Sequence, residues 1–225
     1  MFHSYKTGFL FVFLMVQSVF GYHLYAQDNG VWELQKEENG IKIYTRNVSG
    51  SPVKEVKAFL QLNASLSSVV AVIRDFENYP LWIYKCAHAK LLKSVGDSDM
   101  YYYHITDTPW PVEDRDMVSR VVITQNDKSL ELKINSTGIP DYLPKRDGFL
   151  RLPKSNTLWI LTPIGPNLIQ AQYILSIDPG GDVPVWLLNV FVTDGPFESL
   201  VLFKSRIQNP KYKNANYSFV REFGK

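Results

Sequence analysis

The sequence predicts an α+β fold, a curved antiparallel sheet wrapped around a long C-terminal helix. Three observations predict it. Apolar residues recur at alternate positions in most segments between Ile41 and Ile177, the period of half-buried strands. After the opening segment the period becomes helical at about 65–77 and again after Pro184. The second of these is apolar around much of its circumference, so it must be buried on most sides.

The elements follow in order. Val31 to Glu38 is predicted as a short opening helix with Trp32 as its apolar anchor, ended by the Asn39-Gly40 turn. Ile41 to Arg46 and Lys54 to Leu62 alternate and read as a hairpin. In the second, Val56, Ala58, Leu60 and Leu62 share one face. Asn63 and Ser65 are N-cap candidates, and Leu66, Val69, Val70, Ile73 and Phe76 follow at helical spacing. That helix stops by Tyr79, because Pro80 disfavours helical geometry before it.

Strand patterns then occupy Ala89–Lys93, Met100–Thr106, Asp116–Thr124, Ser129–Asn135, Thr157–Leu161 and Leu168–Ile177. In the last, Ile169, Ala171, Tyr173, Leu175 and Ile177 line one side. Joined by turns this tight, such strands are antiparallel. Gly138 to Lys154 reads as an irregular excursion with one short strand near Phe149–Leu152. Pro179-Gly-Gly-Asp182 breaks the sheet. Pro184 then opens the last helix, which Asp194-Gly195-Pro196 kinks near its middle. Asp194, Gly195, Pro196 and Glu198 argue against a membrane span there.

One corner stands out. Tyr101 to Arg120 reads YYYHITDTPWPVEDRDMVSR. Pro109 and Pro111 each lack a ladder N–H, so neither belongs in a central strand. Trp110 is therefore held in a stiff bend between two strands, where it is read locally as the cap of a core. Asp114, Arg115 and Asp116 are expected to fix the bend through an ion pair or backbone hydrogen bonds.

The N-terminus reads as an export signal, residues 1–26. Lys6 supplies the positive start, Gly8 to Phe20 is almost wholly apolar, and Ala26 is a small residue at the cleavage position. A retained anchor is the alternative. Residues 27–225 then form one domain. Cleavage removes only one charged side chain from a chain of net charge +2, which leaves no electrostatic footprint for nucleic acid. Cys86 is the only cysteine, so no internal disulfide is available and packing must stabilise the fold. Asn-X-Ser/Thr occurs at Asn47, Asn63, Asn135 and Asn216, with glycosylation meaning only in a host that has that machinery.

No motif for a catalytic zinc, a nucleophile elbow, a phosphate loop or a dinucleotide fold is present. Cys86 and His88 share a strand face, but a metal site needs two further ligands, so no metal and no cofactor is expected. The 13 Phe, 13 Tyr and 5 Trp, with bulky residues on a helix facing a concave sheet, suggest a cavity for an apolar ligand. The alternative is a solid core.

Several blocks carry a family resemblance. They are Trp32 through Gly40-Ile41-Lys42-Ile43-Tyr44-Thr45-Arg46, then Gly50 to Ala58, then Trp110-Pro111-Val112 with Arg115-Asp116, then Val183 to Asn189. In this order they resemble a START domain (steroidogenic acute regulatory protein-related lipid transfer) of the helix-grip superfamily, in an exported, bacterial-type single-domain form. The resemblance implies a hydrophobic tunnel for sterols, phospholipids or other apolar molecules, with the C-terminal helix as its lid. It makes the lipid or apolar small molecule the expected partner, with transient membrane contact, no nucleic acid and a monomeric state. The expected location is periplasmic or extracellular. Some animal members carry a buried arginine–acid pair between the strands flanking the corner. Here Arg120 is the only arginine on the following strand, and Tyr101 to Thr106 holds no acid.

The ligand-lining candidates are Tyr101 and Tyr103 with Trp186, Asn189, Val190 and Phe197 of the last helix. Asn189 is an amide in an apolar stretch, and a buried amide needs a partner. Trp110, Arg115 and Asp116 are expected to be structural. No catalytic residue is assigned. The competing reading is a cyclase or hydrolase acting on an apolar substrate in the same cavity, with Tyr102 and His104 as its first candidates.

Overall fold

The computed structural model describes residues 30–51, 53–184, 187, 188 and 190–224. The predicted export segment 1–26, and Trp186 and Asn189 among the ligand candidates, lie outside the described residues.

Asn39 and Gly40 both hold positive φ, 54° and 69°, the geometry of a two-residue hairpin turn whose twist matches its flanking strands. That turn makes residues 33–38 a strand. β1 (Glu33–Glu38) pairs antiparallel with β2 (Ile41–Arg46), which corrects the predicted opening helix. Its Glu, Gln and Lys residues favour a helix in isolation, but the ladder with β2 outweighs that preference. Trp32 anchors no helix; the Lys57 ammonium lies 3.9 Å and the Arg46 guanidinium 4.5 Å from its ring centre. β1 is an edge strand, and its Glu and Lys side chains discourage further pairing.

β3 (Glu55–Leu62) completes the predicted hairpin with β2 and buries Val56, Ala58, Leu60 and Leu62. α1 (Leu66–Arg74) starts where the Ser65 hydroxyl accepts from the Ser68 N–H at 3.1 Å. The Glu222 carboxylate accepts from the Leu66 and Ser67 N–H groups, so the C-terminal tail closes the same helix end. The helix ends earlier than the sequence predicts. Asp75 leaves helical geometry and its carboxylate accepts from the Asn78 amide and the Tyr212 hydroxyl. A 3₁₀ turn over Phe76–Leu81 follows and contains Pro80.

Seven more strands follow: β4 (Cys86–Ser94), β5 (Asp99–Thr106), β6 (Asp114–Gln125), β7 (Leu132–Gly138), β8 (Phe149–Arg151), β9 (Lys154–Gly165) and β10 (Leu168–Asp178). The sheet runs β1-β2-β3-β10-β9-β7-β6-β5-β4, antiparallel throughout, with short β8 lying parallel on β6. The β3–β10 pairing joins the N-terminal strands β1–β3 to the last strand, in the middle of a sheet whose edges are β1 and β4.

The last helix fills the concave face of this sheet. Leu187 and Leu188 are helical, Val190–Asp194 forms a π turn, and α2 (Gly195–Arg206) continues to the short α3 (Pro210–Lys213). The irregularity falls at the predicted kink: Pro196 has no N–H to complete a regular turn, and the wider π turn absorbs the mismatch. Phe203 on α2 is fully buried between Trp82 and Trp159, 5.0 Å from each ring. No helix among the described residues is long and apolar enough to cross a membrane.

At the corner, the Trp110–Pro111 peptide bond is cis. The Thr108 N–H donates to the Asp114 carboxylate at 2.8 Å. Arg115 and Asp116 are both buried, but not against each other. Arg115 donates to the carbonyls of Glu113, Pro179 and Gly180, tying β6 to the loop after β10. Asp116 accepts two hydrogen bonds from Arg151, at 2.7 and 3.0 Å, and one from the Tyr103 hydroxyl at 2.8 Å. Adjacent strand residues point to opposite faces, so the two neighbours serve different loops. Trp110 caps no core: it is 91% exposed, because the tight bend turns its ring outward.

Candidate functional site

Along the inward face of β10, Ile169 and Ala171 are fully buried, whereas Tyr173, Leu175 and Ile177 keep partial exposure. Their exposed area borders a cavity of about 360 Å³ between the sheet and the last helix. β5 contributes Tyr102, His104 and Thr106, and β6 contributes Met117 and Val121. From β7 and β9 come Ile134, Ser136, Ser155, Thr157 and Trp159. The helical wall is Leu187, Val190, Gly195, Pro196, Ser199 and Leu200. The segment Trp82–Lys85, the corner residues Asp107, Thr108 and Pro109, and Ile73, Tyr79 and Leu152 complete it.

Gly195 permits a close approach there. A Cβ on it would stand 3.0 Å from the Val190 carbonyl oxygen and 3.1 Å from the Tyr84 ring. The Ser199 hydroxyl donates to the Gly195 carbonyl at 2.7 Å and accepts from the Tyr84 N–H at 2.9 Å. The start of α2 is thereby latched to the loop before β4.

Strand alternation sorts the predicted ligand residues. Tyr101 and Tyr103 are not in the cavity wall: Tyr101 stacks on Tyr142 at 5.1 Å on the other face of β5, and Tyr103 bonds Asp116 and Arg146. The residues of β5 that line the cavity are Tyr102, His104 and Thr106. The sequence pattern shows two faces of an aromatic strand but not which one looks inward. Val190 lines the cavity. Phe197 is buried in the core, with the Lys36 ammonium 3.8 Å from its ring centre.

His104 is 5% exposed. Burial, aided by the nearby His88, pushes its pKa down to about 4, so the ring is neutral near pH 7. Its Nδ1 has no hydrogen-bond partner. The Tyr102 hydroxyl lies 3.2 Å from the Ser136 hydroxyl. Burial raises the Cys86 thiol to about 12, which leaves it an inert thiol. A register shift between Cys86 and His88 breaks the alternation, so Cys86 is buried and His88 exposed. Among the described residues no cluster of His, Cys, Asp and Glu could hold a metal ion.

The comparisons with known proteins fit this architecture. The START domain family matches residues 22–213. The chain belongs to the START family. A START-family crystal structure, the STAR-related lipid transfer protein of Xanthomonas axonopodis, is 35% identical. It superposes with a TM-score of 0.72, over 78% of this chain and 98% of that one. An uncharacterized protein of Pseudomonas aeruginosa is 33% identical over 86% of this chain and 94% of its own. The rat phosphatidylcholine transfer protein is 24% identical over 73% of this chain and 78% of its own.

Within this START domain an arginine–acid pair does link the two strands flanking the corner, but on the outer face of the sheet and not inside it. Arg120 donates to both oxygens of Asp99 on β5, at 2.9 and 2.7 Å, and Arg120 is exposed. Asp99 stands just before the aromatic run, so a search confined to Tyr101–Thr106 passes over it. Sequence reasoning also missed Arg151, the partner of Asp116. Its only signal was a charge in the irregular excursion.

Proposed function

We propose that this START domain binds a lipid or another hydrophobic small molecule in the cavity, with the C-terminal helix as the closing element. It then works as an exported monomer, periplasmic or extracellular, that meets membranes transiently. The observation that carries the reading is the cavity of about 360 Å³ walled by apolar side chains of the concave sheet and the last helix. Burying a ligand's apolar surface there contributes roughly 25 cal/mol per Å² before ordering costs. The π turn before Gly195 gives the closing helix a weak point. The protein, stripped of lipid and incubated with vesicles, is expected to take up one molecule, seen as a mass increment in native mass spectrometry. An unchanged mass after incubation with mixed-lipid vesicles sinks the reading.

Trp110 supports the membrane contact. It is 91% exposed, and its neighbours Thr108 and Pro109 line the cavity. An exposed indole at such a rim suits a bilayer interface. Trp110→Ala is expected to lower vesicle association by roughly tenfold, from the lost burial of one large side chain. Unfolding midpoint and ligand capacity should not move. Equal co-sedimentation of both proteins with vesicles argues against that contact.

The enzyme reading keeps one supporting observation, that Tyr102 and His104 both face the cavity. Acid–base chemistry needs an oriented imidazole of suitable pKa. His104 has an unpartnered Nδ1 and a pKa near 4, which favours the carrier.

A further inference from the structure

The inward face of the sheet carries a row of hydroxyls where apolar side chains would pack better. Tyr102 on β5 is paired with Ser119 on β6, and Ser136 on β7 with Thr157 on β9. Tyr173 on the adjacent β10 pairs with Trp159, the next inward residue after Thr157. The Tyr102 and Ser136 hydroxyls meet across β6 at 3.2 Å. Four of these residues, Tyr102, Ser136, Thr157 and Tyr173, line the cavity, while Ser119 is buried between them. Five neighbouring strands thus each contribute a hydroxyl among residues such as Val121, Ile134 and Leu161.

The second observation is the placement of charge. Among the described residues the cavity wall includes one Lys and one acid, Lys85 and Asp107, and both are exposed residues at its rim. Arg120 and Asp99 pair on the outer face, and Arg151 and Asp116 neutralise each other away from the wall. Burial raises the phenol pKa of Tyr102 and Tyr173, so both remain neutral.

We propose that this hydroxyl row is the polar subsite of the cavity and selects an uncharged ligand, a hydrocarbon body bearing one hydroxyl or carbonyl oxygen. The inference rests on the cavity reading above. A ligand oxygen exchanges its water hydrogen bonds for bonds to Tyr, Ser and Thr hydroxyls, nearly an even exchange. A carboxylate or phosphate in the same place loses its hydration among hydroxyls, while Lys85, the one lysine of the described wall, stands out at the rim. The volume of about 360 Å³ lies at the small end of ligand pockets, roughly 300–1,000 Å³, which suits one compact body.

The test holds the chain length fixed and varies the head. Displacement of bound N-phenyl-1-naphthylamine is measured at pH 8 with 1-dodecanol, dodecanoate and dodecane. Dodecanol is expected to displace the dye at a concentration about tenfold below dodecanoate, given the cost of burying an unpaired charge. Against dodecane its advantage should be about three- to tenfold, the contribution of one net hydrogen bond. Ser136→Ala and Thr157→Val should each erode that second advantage. Dodecanoate matching dodecanol, or an advantage over dodecane that survives both substitutions, overturns the subsite while leaving the cavity reading intact. Failure of the dye and all three compounds to bind overturns the cavity reading itself.

Discussion

Arg151→Met is expected to destabilise the protein by about 3–5 kcal/mol, the cost of breaking a buried ion pair from one side. Arg151 is 6% exposed and Asp116 is 1% exposed. The guanidinium grips both carboxylate oxygens and donates to the carbonyls of Pro140, Leu143 and Pro144. It therefore fastens the excursion between β7 and β8 to the middle of the sheet. Methionine keeps the apolar stem but strands a buried carboxylate with only Tyr103 as donor, and leaves three carbonyls unpaired. Burial alone opposes ionisation of Asp116; the hydrogen bonds from Arg151 and Tyr103 outweigh it and hold the carboxyl below the usual range. The sign of the pH dependence follows. In the wild type the contribution of this depressed pKa is present above the unfolded value of about 3.9 and is lost as pH falls through the folded value. In Arg151→Met burial is opposed only by the Tyr103 hydroxyl and the more distant Arg146, so Asp116 takes up a proton at higher pH and the variant recovers stability on acidification. Urea unfolding at pH 7 and pH 4 should show the gap narrowing at pH 4. A loss below about 1 kcal/mol, the scale of an exposed pair, would mean the pair is not buried as described. Adding Asp116→Leu to Arg151→Met should recover part of the loss, since no charge is then stranded.

The pair also marks where the sequence stops being legible. Alternation located β2, β3, β5, β6, β9 and β10 because each has one buried and one open face, and a change of period located the two main helices. β1 failed because its residues favour a helix locally, and only pairing through the Asn39-Gly40 turn makes it a strand. Arg151 failed because its partner lies 35 positions away, and nothing in the intervening excursion encodes that contact. The corner was half legible. Two prolines announce a bend, but the direction of Trp110 depends on what the bend packs against, and the answer is nothing: the ring stands in solvent. For the cavity, alternation gave two candidate faces of β5, and choosing the right one required knowing which side the last helix occupies. Tyr101 and Tyr103 stand on the face of β5 away from the cavity, and Tyr102 and His104 on the face that lines it. Hydroxyls at inward positions, Ser136 and Thr157 among Ile134, Trp159 and Leu161, were the available signal for the proposed polar subsite.

Filling the cavity tests its role more directly than removing any one contact. Leu175→Trp combined with Met117→Trp is expected to reduce ligand uptake by about a hundredfold, since overlap with bulky rings costs the ligand several well-packed groups, each worth roughly 1–3 kcal/mol. Both positions line the void and both are only partly buried. New ring atoms therefore enter empty space instead of displacing packed neighbours, and overpacking should stay below the roughly 1–3 kcal/mol seen in filled cores. Stability is expected to hold or rise slightly, because a void lined by apolar atoms lacks contacts that the indoles supply. The control is Ile174→Trp, one residue along the same strand, where alternation puts the side chain on the outer face. That variant should bind ligand as the wild type does. Lipid-bound mass fractions after vesicle incubation, with urea midpoints alongside, separate the outcomes. If the filled variant keeps its uptake, ligand binds elsewhere. If it loses uptake together with most of its stability, the space was already packed and the cavity is not real. Loss of uptake at unchanged midpoint, with the outer-face control unaffected, ties function to this one volume between the sheet and the helix that it grips.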